Sequence, residues 1–186
     1  MANTCVNEYY FKGDEKALEK LFDLFEENDS LAETFKNNKI EGADKAKGII
    51  CDIDRESWYI TIDTPWHPYR ETIDSLISYT GENIQYCCYS EEPGCEIFQV
   101  YDPDNLGAFD DWEYVLRYNL CGKDEDGKLT ELQRFDSYFS EDFFLALVER
   151  ISGKVPTTVD DGLSILRSLK RDDNTEIYLN PIKAVS

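Results

Sequence analysis

Between Trp58 and Tyr101 the spacing of apolar side chains switches from two to about 3.6 and back again, which limits what the chain can fold into. Trp58, Ile60 and Ile62 alternate with Tyr59, Thr61 and Asp63, the signature of a strand with two different faces. From Thr64 the spacing lengthens. Trp66, Tyr69, Ile73, Leu76 and Ile77 fall on one side of a predicted helix, with Thr64 as its N-cap. Pro65 suits the first helical position, where its missing N–H costs nothing, and Gly81 closes the helix. The shorter period returns over Ile84–Tyr89. Glu91-Glu92-Pro93-Gly94 reads as a turn, and Glu96–Tyr101 as a further strand.

Upstream the same logic gives a strand over Thr4–Phe11, then a helix that Asp14 caps. Leu18, Leu21, Phe22 and Phe25 form its single apolar stripe. Residues 29–47 read as a polar connection with some helical content, since Asn37-Asn38, Gly42 and Gly48 interrupt the pattern. Ile49–Ile53 then pairs with Trp58–Ile62 in a hairpin through Asp54-Arg55-Glu56-Ser57. The order β-α-β-β-α-β-β predicts an α+β fold with a ferredoxin-like split β-α-β core over residues 1–101. Right-handed crossovers would set both helices on one face of an antiparallel sheet.

Residues 102–186 form the second stretch. Over 102–142 there are 12 carboxylates against 4 basic side chains. Glu113–Leu120 and Leu129–Ser137 predict a hairpin around Asp126-Gly127. Ser140 and Thr158 cap two helices, and Glu176–Leu179 is a short last strand. These elements are too apolar to hang free, so they are expected to extend or cover the sheet and pack on the core as one unit.

Charge narrows the function classes. Thirty-nine Asp and Glu face 19 Lys and Arg, for a formal net charge of −20. Affinity for DNA or RNA comes largely from cationic side chains on phosphates, so direct nucleic-acid binding is opposed. Anionic membrane surfaces are equally unsuited, and no run is long enough to span a bilayer. A basic protein partner fits the charge, and so does mimicry of nucleic acid that inhibits a DNA-binding defence protein. Cys5, Cys51, Cys87, Cys88, Cys95 and Cys121 make no CxxC pair, and four of them fall in predicted strands. With no basic, apolar leader in MANTCVNEYY, the expectation is reduced, buried thiols in a cytoplasmic protein.

Motifs that carry chemistry are sparse. The strands CVNEYYFKG and CEIFQVYD lack the basic-aromatic pattern of RNA-reading sheets. Residues 102–113 place carboxylates at positions 1, 3, 9 and 12 of a calcium-type loop, with glycine at 6. Position 5 is Leu106, which offers no oxygen, so the loop reads as an acidic turn. No G-x-G-x-x-G or P-loop is present, and neither cofactor nor metal is predicted. His67, the single histidine, lies beside Trp66 and in the same central stretch as Glu91 and Glu92. These four residues are the candidate binding site, with no catalytic residue assigned. A small hydrolase or transferase using His67 as general base is the enzymatic alternative.

The central stretch resembles the YubB-type ferredoxin-like domain family of plasmid, phage and mobile-element proteins. The resemblance rests on Thr64, Trp66 and Pro68 at the helix start, then Glu92, Pro93, Gly94 and Phe98, with Cys5 through Asp14 as the opening strand and helix start. It covers about residues 1–101. Gly42–Gly48 does not match the family's Trp-Gly-Thr-Lys-Trp-like segment, and residues past 101 have no counterpart. The resemblance implies a fold and a mobile-element setting, and no activity.

Overall fold

The computed structural model describes residues 3–81, 83–123, 129–169 and 177–185. Their order is β1 (Thr4–Gly13), α1 (Glu15–Glu26), α2 (Leu31–Asn37), β2 (Ile49–Asp54), β3 (Tyr59–Pro65), α3 (Arg70–Thr80), β4 (Ile84–Glu92) and β5 (Ile97–Tyr101). There follow β6 (Tyr114–Lys123), β7 (Leu129–Phe139), α4 (Glu141–Ser152), α5 (Val159–Ser168), β8 (Ile177–Pro181) and β9 (Lys183–Val185). The fold is mixed α+β and its described strand pairs are antiparallel. The chain divides into two compact units, Met1–Phe109 with Ala184–Ser186, and Asp110–Lys183.

The first unit is built on a six-stranded sheet in the order β2-β3-β1-β4-β5-β9. In β1, Cys5, Asn7, Tyr9 and Phe11 are buried, while Thr4 and Val6 are exposed and Glu8 and Tyr10 half-buried. That alternation sends one set of side chains to the core. Tyr9 and Phe11 meet Leu21, Phe22 and Phe25 of α1, Ile60 and Ile62 of β3, and Ile73 and Leu76 of α3. All of these are almost fully buried, each worth about 1.5–3 kcal/mol against exposure. Phe11 anchors the cluster, edge-on to Phe22 at 5.8 Å and tilted against Tyr86 at 6.0 Å. Lys20 of α1 donates to the last carbonyls of α3, at Tyr79 (3.3 Å) and Thr80 (3.2 Å), where the helix end is negative.

The second unit has its own sheet, in the order β7-β6-β8. Leu116 of β6, Phe144, Leu147 and Val148 of α4 and Leu166 of α5 form its core. Ser140 and Thr158 cap α4 and α5 as predicted, accepting from Phe143 N (3.4 Å) and Asp161 N (3.1 Å). Gly153 ends α4 at φ +69°, with its N–H on Glu149 O at 2.8 Å. The predicted turn at Asp126-Gly127 lies outside the described residues. Strands β6, β7 and β8 thus make a separate sheet, and β9 alone joins the first one.

Several local expectations are corrected. Thr64 and Pro65 do not start the central helix; they complete β3, with Thr64 opposite Cys5 in the sheet. The Thr64 hydroxyl accepts from the Asn7 amide and donates to His67 O rather than capping helix N–H groups, and α3 begins at Arg70 with no side-chain cap. Trp66 consequently leaves the apolar face and is 47% exposed, whereas Ile73 and Leu76 stay fully buried. Trp58 precedes β3 at φ +54°, and its ring packs edge-on against Phe22 at 5.1 Å. Glu91 and Glu92 are the last residues of β4 and are buried; the turn falls on Pro93–Cys95, with Glu96 left-handed at φ +55°. The connection over 29–47 does have the helical content expected of it, a short helix, α2, capped by Ser30, whose Oγ accepts from Glu33 N. Of the cysteines, Cys5, Cys87 and Cys88 are buried as expected, but Cys51 and Cys95 are exposed; these five are unbridged, and the Cys121 side chain lies outside the description.

Candidate functional site

The four sequence candidates sit at one end of the six-stranded sheet, because β1 starts where β3 and β4 finish. Thr64 on β3 stands opposite Cys5 on β1, and Glu91 on β4 opposite Val6. Trp66 and His67 therefore lie one strand away from Glu91 and Glu92. Being adjacent in a strand, the two glutamates point to opposite faces and do not form a carboxylate pair.

A buried polar network ties this end together. The Asn7 amide, fully buried, donates towards Cys5 O (3.0 Å), Ile62 O (3.0 Å) and Thr64 Oγ1 (2.9 Å). An amide carries two hydrogens, so one of these is shared. Thr64 Oγ1 donates to His67 O at 2.8 Å, and Trp66 N–H donates to Asn3 O at 3.0 Å. Held on both sides, Trp66 adopts φ +69°, a left-handed conformation that is costly for a bulky residue.

His67 is exposed, and its ring stacks on Tyr69 at 4.4 Å with 22° between planes. Its Nδ1 lies 2.9 Å from Pro68 O, a carbonyl that can only accept, which assigns the proton to Nδ1. Neither glutamate is among its contacts, so the arrangement sets up no base-carboxylate dyad.

Glu91 accepts from the Tyr89 hydroxyl at 2.9 Å, both being buried. Glu92 is 2% exposed; its Oε1 accepts from Gly94 N at 3.1 Å, while Oε2 has no hydrogen-bond partner among the described residues. Burial, the largest single influence, raises the Glu92 pKa. The nearby thiol and N–H of Cys95, the N–H of Gly94 and the Asn3 amide together outweigh it, holding the carboxyl below its ordinary value. Glu92 in turn raises the Cys95 thiol through a hydrogen bond. Burial pushes Cys5 up to about 12, so it stays a thiol at neutral pH.

Sequence reasoning missed a groove of about 280 Å³ beside α3. Asp74, Ile77 and Ser78 of α3 line it with Tyr86 of β4, Tyr101 of β5, Pro103 and Asp104. The Tyr86 hydroxyl donates to Asp74 Oδ1 at 2.8 Å, and the two tyrosine rings lie 5.6 Å apart. Tyr101 also receives the Arg70 guanidinium at 4.5 Å from its centroid. No periodicity announces this site, since its residues come from three separate segments. The 102–113 loop shows a plain turn at its start, where both Asp102 oxygens are occupied by the N–H groups of Leu106 (2.9 Å) and Gly107 (2.8 Å). No group of three or more metal-ligating side chains occurs among the described residues, and none of their helices is long and apolar enough to cross a membrane.

No family model and no curated protein matches the chain. Among solved structures, an unknown protein from Galdieria sulphuraria is similar at 8% identity over 97% of this chain and 99% of that one. Its TM-score of 0.21 is too low to bear on fold or function.

Proposed function

We propose that this chain is a non-enzymatic binding or accessory protein that engages a basic protein partner through its acidic surface. The observation that carries the reading is the state of the carboxylates. Arg55 makes both of the described ion pairs, with Asp23 and with Glu26. Exposed acids such as Glu41, Asp44, Asp74 and Asp104 have no described cation, in a chain whose net charge is −20. Such a surface attracts a cationic partner and speeds its association. The solvent-facing, stacked geometry of His67 favours this reading over the hydrolase or transferase alternative.

The finer fold assignment belongs to the same proposal. In the order β2-β3-β1-β4, β3 lies between β1 and β2 and is antiparallel to both. That arrangement supports a ferredoxin-like core, and with it kinship to the YubB-type proteins of mobile elements.

The test is a binding titration of a fluorescent Lys/Arg-rich peptide, with a Glu/Asp-rich peptide as control, at low and physiological salt. Saturable binding of the basic peptide that weakens as salt rises supports the reading. Absence of binding at low salt, or equal binding of the acidic peptide, overturns it.

A further inference from the structure

We propose that the groove between α3 and the β4–β5 strands receives a lysine or arginine side chain from a basic protein segment. The inference rests on the proposed function and names the place where the partner is gripped.

Size decides first. At about 280 Å³ the groove falls just below the range of small-molecule and cofactor sites, roughly 300–1,000 Å³. It has room for one long side chain.

Chemistry decides next. Asp74 and Asp104 line the groove with the rings of Tyr86 and Tyr101, and no lysine or arginine is part of the lining. Both aspartates are exposed residues with no described ion pair. Asp74 accepts the Tyr86 hydroxyl on Oδ1 alone, which leaves Oδ2 to face an incoming donor. Ile77 and Pro103 offer apolar surface for the methylene stem of a Lys or Arg, whose head needs an acceptor at the far end. A carboxylate ligand would meet two like charges and no lysine or arginine in the lining, so an anion is disfavoured there.

The chain supplies its own precedent. Arg70 already places a guanidinium 4.5 Å from the Tyr101 centroid. Its positive charge opposes a second cation, but one adjacent cation faces two carboxylates, and the balance stays attractive.

The experiment follows backbone amide shifts by NMR as Nα-acetyl-arginine amide is added, with the neutral isostere Nα-acetyl-citrulline amide as control. The expected result is saturable shifts at Ser78, Gln85 and Asp104 with the arginine probe alone. The double variant Asp74→Asn, Asp104→Asn keeps side-chain shape and the Tyr86 acceptor. It should weaken both the probe and the Lys/Arg-rich peptide about two- to fivefold per carboxylate. Glu41→Gln with Glu56→Gln removes the same charge from exposed positions elsewhere and should leave both affinities within about twofold of wild type. Equal response to citrulline, or equal losses in the two double variants, overturns the groove while leaving the acidic-surface reading standing. Failure of the wild-type protein to bind the basic peptide overturns both.

Discussion

The Asn7 side-chain amide lies 2.9 Å from Thr64 Oγ1, inside a sheet whose other inward-facing residues are mostly apolar. That one contact joins β1 to the end of β3 and, through the Thr64 hydroxyl on His67 O, to the loop that presents Trp66. Replacing Asn7 with Leu removes donors for three acceptors in a site with no solvent access. Each unsatisfied buried group costs about 1–3 kcal/mol, partly offset by the new apolar contacts. The expected loss is about 2–4 kcal/mol by urea denaturation. Thr64→Val, which loses a hydroxyl but keeps the shape, should cost about 1–2 kcal/mol and alter the Trp66 environment in fluorescence.

Glu92 gives the fold an acid-sensitive contribution. Its folded pKa lies below the ordinary value of 4.5, so the folded form favours the ionised carboxyl. The stability this supplies is complete above about pH 4.5 and is lost as pH falls through the lower, folded value. Glu92→Gln should therefore flatten the acid side of the stability curve while the wild type falls more steeply. A double comparison is needed, because protonating a chain of net charge −20 relieves repulsion and acts in the opposite direction. Identical slopes below pH 4.5 in wild type and variant would remove Glu92 from the account.

Local signals were legible in the sequence, and sheet-level ones were not. Asp14, Ser140 and Thr158 cap helices because a short polar side chain next to an apolar-periodic run has few other uses, and each was readable within four residues. Thr64 carries the same local signature yet lies in a strand. Its partners, Cys5 and Asn7, come from the far end of the chain, and no window around Thr64 contains them. Glu92 misled for a related reason: Glu-Glu-Pro-Gly is turn-like in isolation, but pairing with Ile97 on β5 extends β4 through both glutamates. The candidate site was half legible, in that Trp66 and His67 do share a sheet end with Glu91 and Glu92. The groove was not legible, because Asp74, Tyr86, Tyr101 and Asp104 belong to no common period.

Arg70 is expected to be dispensable for stability. Its Nη1 is buried without a hydrogen-bond partner among the described residues, a cost of about 1–3 kcal/mol, while its stacking on Tyr101 returns about 0.5–2. Arg70→Met keeps the stem and removes the orphaned donor, so stability should be unchanged or rise by about 1 kcal/mol. A fall of several kcal/mol in thermal or urea unfolding would show that the guanidinium has a stronger partner.

The thiols should react in a fixed order. Cys5 and Cys88 are fully buried, with burial pushing each up to about 12, so neither access nor thiolate favours alkylation. Cys51 and Cys95 are exposed, though burial and Asp63 raise the first and Glu92 raises the second. Brief iodoacetamide treatment of the native protein at neutral pH, read by peptide mass, should label Cys51 and Cys95 well ahead of Cys5, Cys87 and Cys88. Glu92→Gln should speed Cys95 and leave Cys51 unchanged. Early labelling of Cys88 would mean that the sheet opens far more often than its packing implies.

Trp58 and Trp66 both have left-handed backbones, at φ +54° and +69°, and the same substitution should move stability in opposite directions. Glycine relieves about 1 kcal/mol of backbone strain at either position. At Trp66 the opposing loss is small, because the side chain is 47% exposed. Trp66→Gly should therefore be neutral or stabilising by up to about 1 kcal/mol, provided the N–H bond to Asn3 O persists. At Trp58 the indole packs on Phe22 at 5.1 Å against the main core, and deleting a large aromatic there costs about 3 kcal/mol or more. Trp58→Gly should therefore lose about 2 kcal/mol net. Urea unfolding of the two variants side by side separates the terms: equal losses would place Trp66 in a packed site, and equal gains would mean that Trp58 contributes nothing to the core. With strain this close at the two positions, the difference between the variants measures side-chain packing alone.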